Sequence, residues 1–172
     1  VTPHSLSLLI TACSRGTRII PVGTTAVRTI ESLYWFGVRL LKKDVNPEAK
    51  DLYVRQWDPY RLSHEAGGHE KLPTAVEALT AVLDWSNATS GGGESVIEGH
   101  TQLIIVPGYR FALCDYLFTN THQPRSTLLM LVAALLGGKD RLFALYDHAL
   151  AGGYRFLSYG DSNFLQCHPE AK

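Results

Sequence analysis

The chain has 172 residues, of which 45% are hydrophobic, so it can bury one substantial core. Sixteen basic residues balance sixteen acidic ones, which excludes a general electrostatic attraction to nucleic acid, and any RNA contact has to be local. The longest apolar run, 128–136, is too short for a transmembrane helix, which needs about 20 residues, and we predict no membrane partner.

Apolar residues recur at intervals of three and four positions in several segments, which predicts helices. Gly23 precedes the second of these segments, and Thr24 or Thr25 is suited to cap it. Glycines follow the first, fourth and fifth segments, where a helix would end. The predicted helices cover 5–14, a segment from 24 to at least 34, 73–85, 126–136 and 141–150.

Short runs of β-branched and aromatic residues between turn-forming residues predict strands. Two segments rich in glycine and polar residues, 58–72 and 87–99, are expected to be loops. Helices and strands together predict an α/β fold, with a layered mixed sheet flanked by helices. The predicted strands cover 18–22, 52–57, 102–106, 111–118 and 154–158.

The spacing of cysteine and histidine residues does not match a metal site. His64 and His69 are five positions apart with two glycines between them, whereas a zinc-binding helix needs histidines four positions apart. The three cysteines form no C-x-x-C pair. We predict no bound metal and reduced thiols, which are typical of the cytoplasm.

The densest group of polar residues is T-N-T-H-Q-P-R-S-T at 119–127, directly before an apolar helical segment. His122 suits proton transfer near neutral pH, because an unperturbed histidine has a pKa of about 6.5. Ser126 or Thr127 can cap the helix, whose amino terminus favours anions. A hydrolase built from Asp115, His122 and Ser126 is a weaker alternative, because the chain has no G-x-S-x-G motif.

A second polar group follows Gly23, where Thr24 and Thr25 precede Arg28 by about one helical turn. A turn between a strand and a helix presents backbone N–H groups to an anion. The alternative is a capped helix with an ion pair between Arg28 and Glu31.

The last two motifs lie in the second half of the chain. They are P-G-Y-R-F at 107–111, where Tyr109 can stack on a base or pack in the core, and Y-R-F-L-S-Y-G-D at 154–161. Asp161 can bind a sugar hydroxyl or form a turn.

Four blocks resemble those of the S-adenosylmethionine:tRNA ribosyltransferase-isomerase family and occur in the same order. They are G-T-T-A-V-R-T-I-E-S at 23–32, P-G-Y-R-F at 107–111, T-N-x-H-x-P-x-S-T-L-L-M-L-V at 119–132 and Y-R-F-L-S-Y-G-D at 154–161. The resemblance implies that residues 1–172 are the carboxy-terminal part of the α/β domain of a longer two-domain protein. It also implies a cytoplasmic enzyme, with a monomer favoured. The enzyme would transfer the ribosyl group of S-adenosylmethionine to 7-aminomethyl-7-deazaguanine in the tRNA anticodon arm, giving epoxyqueuosine and releasing adenine and methionine.

S-adenosylmethionine would then be a consumed co-substrate, and no cofactor is expected. The alternative is a non-catalytic fragment that binds a ligand or tRNA and needs the missing half for activity. The expected catalytic residues are His122, Asn120 and Asp161. The expected substrate-binding residues are Thr24, Thr25, Arg28, Tyr109, Arg125, Ser126, Thr127, Arg155, Ser158 and Tyr159.

Overall fold

The computed structural model describes residues 1–45, 52–89, 96–123 and 126–172, and its elements belong to two separately packed units. The first unit consists of Val1–Arg18 and Thr29–Leu103, and the second consists of Ile19–Arg28 and Ile104–Lys172. One helix, α2, begins in the second unit and continues in the first. No helix in the described ranges has the length and apolar character needed to cross a membrane.

The first unit is mostly helical. Helix α1 packs against α4, and strands β1 and β2 pair in parallel, with Leu52 opposite Gly99 and Val54 opposite Thr101. Its elements are α1 (Pro3–Ser14), most of α2 (Thr24–Leu41), β1 (Leu52–Val54), α3 (Asp58–Ala66), a 3-10 turn (His69–Lys71), α4 (Ala75–Thr89) and β2 (Gly99–Thr101).

Local sequence explains where these helices begin and how closely they pack. Thr74 and Glu77 form a capping box before α4, in which Glu77 Oε2 accepts from the Thr74 N–H at 2.7 Å. Gly37 of α2 lies against α4, since a Cβ at this position would overlap the carbonyl oxygen of Ala78. The core of this unit includes Leu6, Trp35, Val38, Leu52, Val54, Leu62, Leu79 and Val82.

A buried ion-pair cluster, here called the Arg39 cluster, joins the end of α2 to α3. Arg39 donates to Asp44 Oδ2 at 3.2 Å, to the Asp44 carbonyl at 2.6 Å and to the carbonyl of Tyr53. Its Nε lies 3.8 Å from Asp58, which is 3% exposed and also accepts from Arg61 at 3.1 Å. The cluster therefore neutralises a carboxylate that is almost wholly removed from water.

The second unit is built on an antiparallel strand pair and two helices. Tyr116 of β3 lies opposite Gln166 of β4, and Asn120 lies opposite Ser162. Helices α5 and α6 pack against each other. Besides the first turn of α2, the elements are β3 (Tyr116–Asn120), α5 (Thr127–Leu135), α6 (Lys139–Ala151), β4 (Ser162–Gln166) and a 3-10 turn (Pro169–Ala171).

The predicted mixture of helices and strands is confirmed, and all five predicted helices are present. The strands form two two-stranded sheets in the described residues, one parallel and one antiparallel. The predicted strand at 52–57 is shorter, at Leu52–Val54, and the strand expected at 111–118 lies at Tyr116–Asn120. At 18–22 the structure has only a bridge between Val22 and Phe118.

Three other expectations were wrong. Segment 58–72, expected as a loop, contains α3 and a 3-10 turn, because Pro59 lies in the first turn of a helix and Gly67 ends it with a φ of 78°. The strand expected at 102–106 is replaced by β2 at Gly99–Thr101. The strand expected at 154–158 is a loop, in which Leu157 has a φ of 70°.

In the expected loop 87–99, α4 continues to Thr89, and residues 90–95 lie outside the described residues.

Candidate functional site

The expected site residues that the structure describes all belong to the second unit, although they come from four separate sequence blocks. Backbone hydrogen bonds connect the blocks at 23–32 and 154–161 to β3 or to Thr121, which follows it, whereas the block at 107–111 is bonded to the last 3-10 turn. Gly23 N–H donates to the Phe118 carbonyl at 2.8 Å, and Leu157 N–H donates to the Thr121 carbonyl at 2.9 Å. Phe111 N–H donates to the Ala171 carbonyl at 2.7 Å. Arg125, one of the expected site residues, lies outside the described residues.

The turn at Gly23 begins α2 directly beside β3. Gly23 has a φ of 86°, in the left-handed region that glycine adopts without steric cost. Thr24 is buried at the start of the helix, and Thr25 is exposed. The backbone of this turn is therefore held against the strand that leads to Asn120.

Arg28 is the residue of this turn with an unsatisfied group. Its Nε is buried and has no hydrogen-bond partner among the residues that the structure describes. The alternative of an ion pair with Glu31 does not satisfy this atom. A buried donor without an acceptor costs about 1–3 kcal/mol, so an oxygen of a bound ligand would be a favourable partner.

His122 follows β3 and is held on both sides. Its Nε2 lies 3.0 Å from Oγ1 of Thr119, a buried residue, which leaves Nδ1 as the other ring nitrogen. The Tyr146 hydroxyl accepts from the His122 N–H and donates to the His122 carbonyl, both at 2.9 Å. Thr119 and Tyr146 are neighbours that sequence reasoning missed. Tyr146 is 24 positions away on α6, and no pattern in the sequence connects it to His122.

Burial sets the charge state of this group. It lowers the pKa of His122 below the usual 6.5, so the imidazole is mostly neutral at neutral pH and can accept a proton. Burial raises the pKa of Tyr146, although the bond to the His122 backbone opposes this, so the hydroxyl stays protonated and can donate to the carbonyl.

The lowered pKa of His122 predicts how stability depends on pH. Below pH 6.5 the unfolded chain binds a proton at this residue more readily than the folded chain. The contribution of His122 to the free energy of unfolding is therefore fully present above that value, and it decreases as the pH falls toward the folded-state pKa. Urea unfolding at about pH 7.5 and about pH 5.5 measures how much the free energy of unfolding decreases between the two pH values. This decrease should be larger for the unmodified protein than for His122→Gln. Equal losses would contradict this.

The Tyr146 hydroxyl makes a second testable contribution. Tyr146→Phe should lower the free energy of unfolding by about 1–3 kcal/mol, because two polar backbone groups of His122 lose their partner. Amide exchange at His122 should also become faster. The control is Tyr154→Phe in the same unit, where a half-exposed ring contacts His148. An unchanged exchange rate in Tyr146→Phe would show that the hydroxyl does not hold His122.

Asn120 and Asp161 both lie at the carboxy-terminal end of the 154–161 loop, because Asn120 pairs with Ser162, the residue after Asp161. Asn120 Nδ2 donates to Ser162 Oγ at 3.3 Å, across the β3–β4 pair. Asp161 Oδ2 accepts from the Arg155 N–H at 2.7 Å, so this carboxylate closes the loop and keeps Oδ1 as a further acceptor.

The remaining expected residues differ in exposure. Ser126 caps α5 by accepting from the Leu128 N–H at 3.2 Å, and Thr127 is exposed beside it. Arg155, Ser158 and Tyr159 are exposed in the 154–161 loop. Tyr109 is 2% exposed and packs edge-on against Phe111, so the expectation that it stacks on a base is replaced by a core role.

The hydrolase alternative has no support in the geometry. Asp115 accepts from the Ile19 N–H at 2.8 Å and pairs with Lys172 at 3.1 Å, while His122 Nε2 bonds to a threonine. Within the described ranges, no group of three or more histidine, cysteine, aspartate or glutamate residues could hold a metal ion.

A model of the family described as queuosine biosynthesis protein matches residues 72–165, which is more than half of the chain. The chain belongs to this family. The matched range contains three of the four sequence blocks, those at 107–111, 119–132 and 154–161.

Individual members of the queuosine biosynthesis family give the same result. The S-adenosylmethionine:tRNA ribosyltransferase-isomerase of Ruegeria sp. strain TM1040 is 34% identical over 165 residues, which are 96% of this chain and 32% of that protein. The enzyme of the same name from Jannaschia sp. strain CCS1 is 46% identical over 101 residues, 59% of this chain and 27% of that protein. The Ruegeria match is long enough to include the Gly23 block.

A solved structure of the family also matches. The crystal structure of S-adenosylmethionine tRNA ribosyltransferase from Thermotoga maritima aligns with a TM-score of 0.54 and 30% identity, over 95% of this chain and 38% of that chain. The chain thus spans about a third of the length of these family members.

Proposed function

We propose that the chain is part of a cytoplasmic enzyme that transfers the ribosyl group of S-adenosylmethionine to 7-aminomethyl-7-deazaguanine in the anticodon arm of tRNA. The ribosyl group rearranges to give epoxyqueuosine, and adenine and methionine are released. Membership of the queuosine biosynthesis family supports this, as do the names of the Ruegeria and Jannaschia relatives. S-adenosylmethionine is consumed in this reaction as a substrate.

The turn after Gly23 is the proposed anion site. Arg28 would bind the methionine carboxylate or a phosphate, because its buried Nε has no partner in the described structure. Thr24 and Thr25 would contribute from the first turn of α2, where the backbone N–H groups favour an anion. Ser126 and Thr127 would form a second such site at the start of α5, together with Arg125.

His122 is the proposed proton-transfer group. The reaction needs a base for the amine or for the carbon beside the sulfonium, and an acid for the departing adenine. A neutral imidazole that is held through Nε2 by Thr119 can accept a proton at Nδ1 and so act as the base. Asn120 would contact the ribose, and Asp161 would bind a sugar hydroxyl or the sulfonium centre with Oδ1.

The observation that carries this proposal is that all of these described side chains belong to the second unit. Direct backbone hydrogen bonds join the Gly23 turn to β3 and the 154–161 loop to Thr121. Polar segments from distant blocks whose backbones are attached to one strand and to the residue after it support a ligand site, whereas unrelated surface motifs would not have to be attached to the same strand.

A second candidate is a binding part that cannot turn over alone. The coverage of 32% of the Ruegeria protein and 38% of the Thermotoga chain favours it. The chain would then hold some of the groups that bind substrate, and the remaining groups would come from the rest of the longer protein.

Adenine release tests the proposal and separates the two candidates. The chain is incubated with S-adenosylmethionine and tRNA carrying the deazaguanine precursor. A parallel sample contains an extended chain, in which the amino-terminal part of the Ruegeria relative precedes this sequence. Release from both indicates that the catalytic groups lie in these 172 residues, and release from the extended chain alone indicates a partial site. Release from neither contradicts the proposed function.

A further inference from the structure

The side chain of Tyr159 is 99% exposed, at the tip of the 154–161 loop. Tyr154 and Leu157 of the same loop are 48% and 44% exposed. A large aromatic ring is usually at least partly covered, because its burial removes a large apolar area from water. A wholly exposed ring therefore calls for an explanation outside folding.

The loop holds this ring in a defined position. Asp161 N–H donates to the Arg155 carbonyl at 2.8 Å, Arg155 N–H donates to Asp161 Oδ2 at 2.7 Å, and Gly160 N–H donates to the Leu157 carbonyl at 2.9 Å. A Cβ at Gly160 would overlap the carbonyl oxygens of Arg155 and Phe156, so only glycine fits this closed turn. Tyr159 is thus presented by a closed loop, which lowers the entropy cost of binding.

The loop is also attached to the candidate site. Leu157 N–H donates to the carbonyl of Thr121, the residue before His122. The ring of Phe156 packs edge-on against Tyr146 at 5.8 Å, and the Tyr146 hydroxyl holds the His122 backbone. A ligand bound by the loop would therefore lie near the proposed proton-transfer group.

Charge favours an anionic ligand. Arg155 is exposed, and its guanidinium has no ion pair among the described residues. The carboxylate of Asp161, six positions later, accepts a backbone N–H of the loop. Over its whole sequence range the second unit has seven lysines and arginines against five aspartates and glutamates, although the complete chain is neutral.

We propose that the 154–161 loop binds RNA, with Tyr159 stacked on an unpaired base and Arg155 in contact with a phosphate. The proposal rests on the proposed function, in which tRNA is the substrate. Single-stranded loops are the part of RNA whose bases can be splayed out and stacked on aromatic side chains, and arginine supplies the phosphate contact. The partner is accordingly an RNA hairpin with an unpaired loop.

The test measures the affinity of the whole chain for a fluorescently labelled RNA hairpin, by anisotropy, with a fully paired RNA for comparison. Tyr159→Ala should weaken hairpin binding about tenfold or more, whereas Tyr159→Phe should stay within about twofold, because stacking needs the ring and not the hydroxyl. Arg155→Ala should weaken binding and reduce the salt slope by about one. Phe143→Ala, at another exposed aromatic residue of this unit, is the control and should have no effect.

Unchanged hairpin affinity in Tyr159→Ala, or no binding by the unmodified chain, would overturn the proposal. Tyr159→Trp distinguishes a protein contact from an RNA contact. Its fluorescence should be quenched by the hairpin, whereas a blue shift in the RNA-free extended chain would assign the ring to a protein contact and overturn the proposal. Because binding is measured without turnover, its failure is distinct from a failure of adenine release.

Discussion

Replacing His122 with alanine is expected to lower adenine release by about 10²–10⁴-fold, the usual contribution of a positioned acid or base. Thr119 holds the ring through Nε2, and Tyr146 holds the backbone of His122. Burial lowers the pKa of His122, so the imidazole is neutral at neutral pH, and a water molecule would not replace it as a positioned base. The assay uses whichever of the two proteins, this chain or the extended chain, releases adenine.

Two variants separate loss of chemistry from loss of structure. His122→Gln can keep a hydrogen bond to Thr119, but a glutamine side chain cannot accept or donate a proton near neutral pH. It should therefore be as inactive as His122→Ala and more stable than that variant. His148→Ala removes an exposed histidine of the same unit and should leave the rate unchanged. Unchanged adenine release in His122→Ala would remove this residue from the mechanism.

The largest expected effect on stability comes from the Arg39 cluster in the first unit. Arg39→Met should lower the free energy of unfolding by about 3–5 kcal/mol, since it removes one of the two guanidinium groups that neutralise the buried carboxylate of Asp58. It also removes donors to the carbonyl groups of Tyr53 and Asp44. Urea unfolding at neutral pH measures the change.

The double variant Arg39→Met with Asp58→Asn should recover part of this loss, because it removes a buried negative charge that only Arg61 would still neutralise. Lys42→Met, at an exposed position just after α2, is the matched control and should change stability by no more than about 0.5 kcal/mol. A loss below about 1 kcal/mol in Arg39→Met would show that the cluster is not needed for stability.

The helices could be predicted from the sequence because their signals are local. A capping side chain and an apolar repeat lie within one segment, as with Thr74 before α4 and Ser126 before α5, and Gly137 follows the end of α5. The errors arose where one residue has two opposite uses. Pro59 follows the strand predicted at 52–57, where proline commonly ends a strand, but proline is equally suited to the first turn of a helix and lies there in α3.

The short strands were harder to predict, because pairing partners are distant in the sequence. Gly99 lies in β2 opposite Leu52, 47 positions away, and its small size matters only once the two backbones meet. At 154–158 the apolar and aromatic residues match a strand pattern, but the bonds between Arg155 and Asp161 close the segment into a loop.

The same limit applies to the site. The four sequence blocks contain the candidate polar residues, and the resemblance to the family indicated which reaction they would serve. Their neighbours could not be found in this way, since Tyr146 reaches His122 from another helix, 24 positions along the chain.

We propose that the Gly23 turn with Arg28, residues 119–122 and the 154–161 loop form one site for S-adenosylmethionine within the second unit. The most direct measurement is an amide NMR titration of this chain with S-adenosylmethionine. We predict that the shifted resonances will be those of the Gly23 turn, 119–122 and 154–161, and that Arg28→Met will weaken the binding. Shifts confined to the first unit, or binding that Arg28→Met leaves unchanged, would contradict the account.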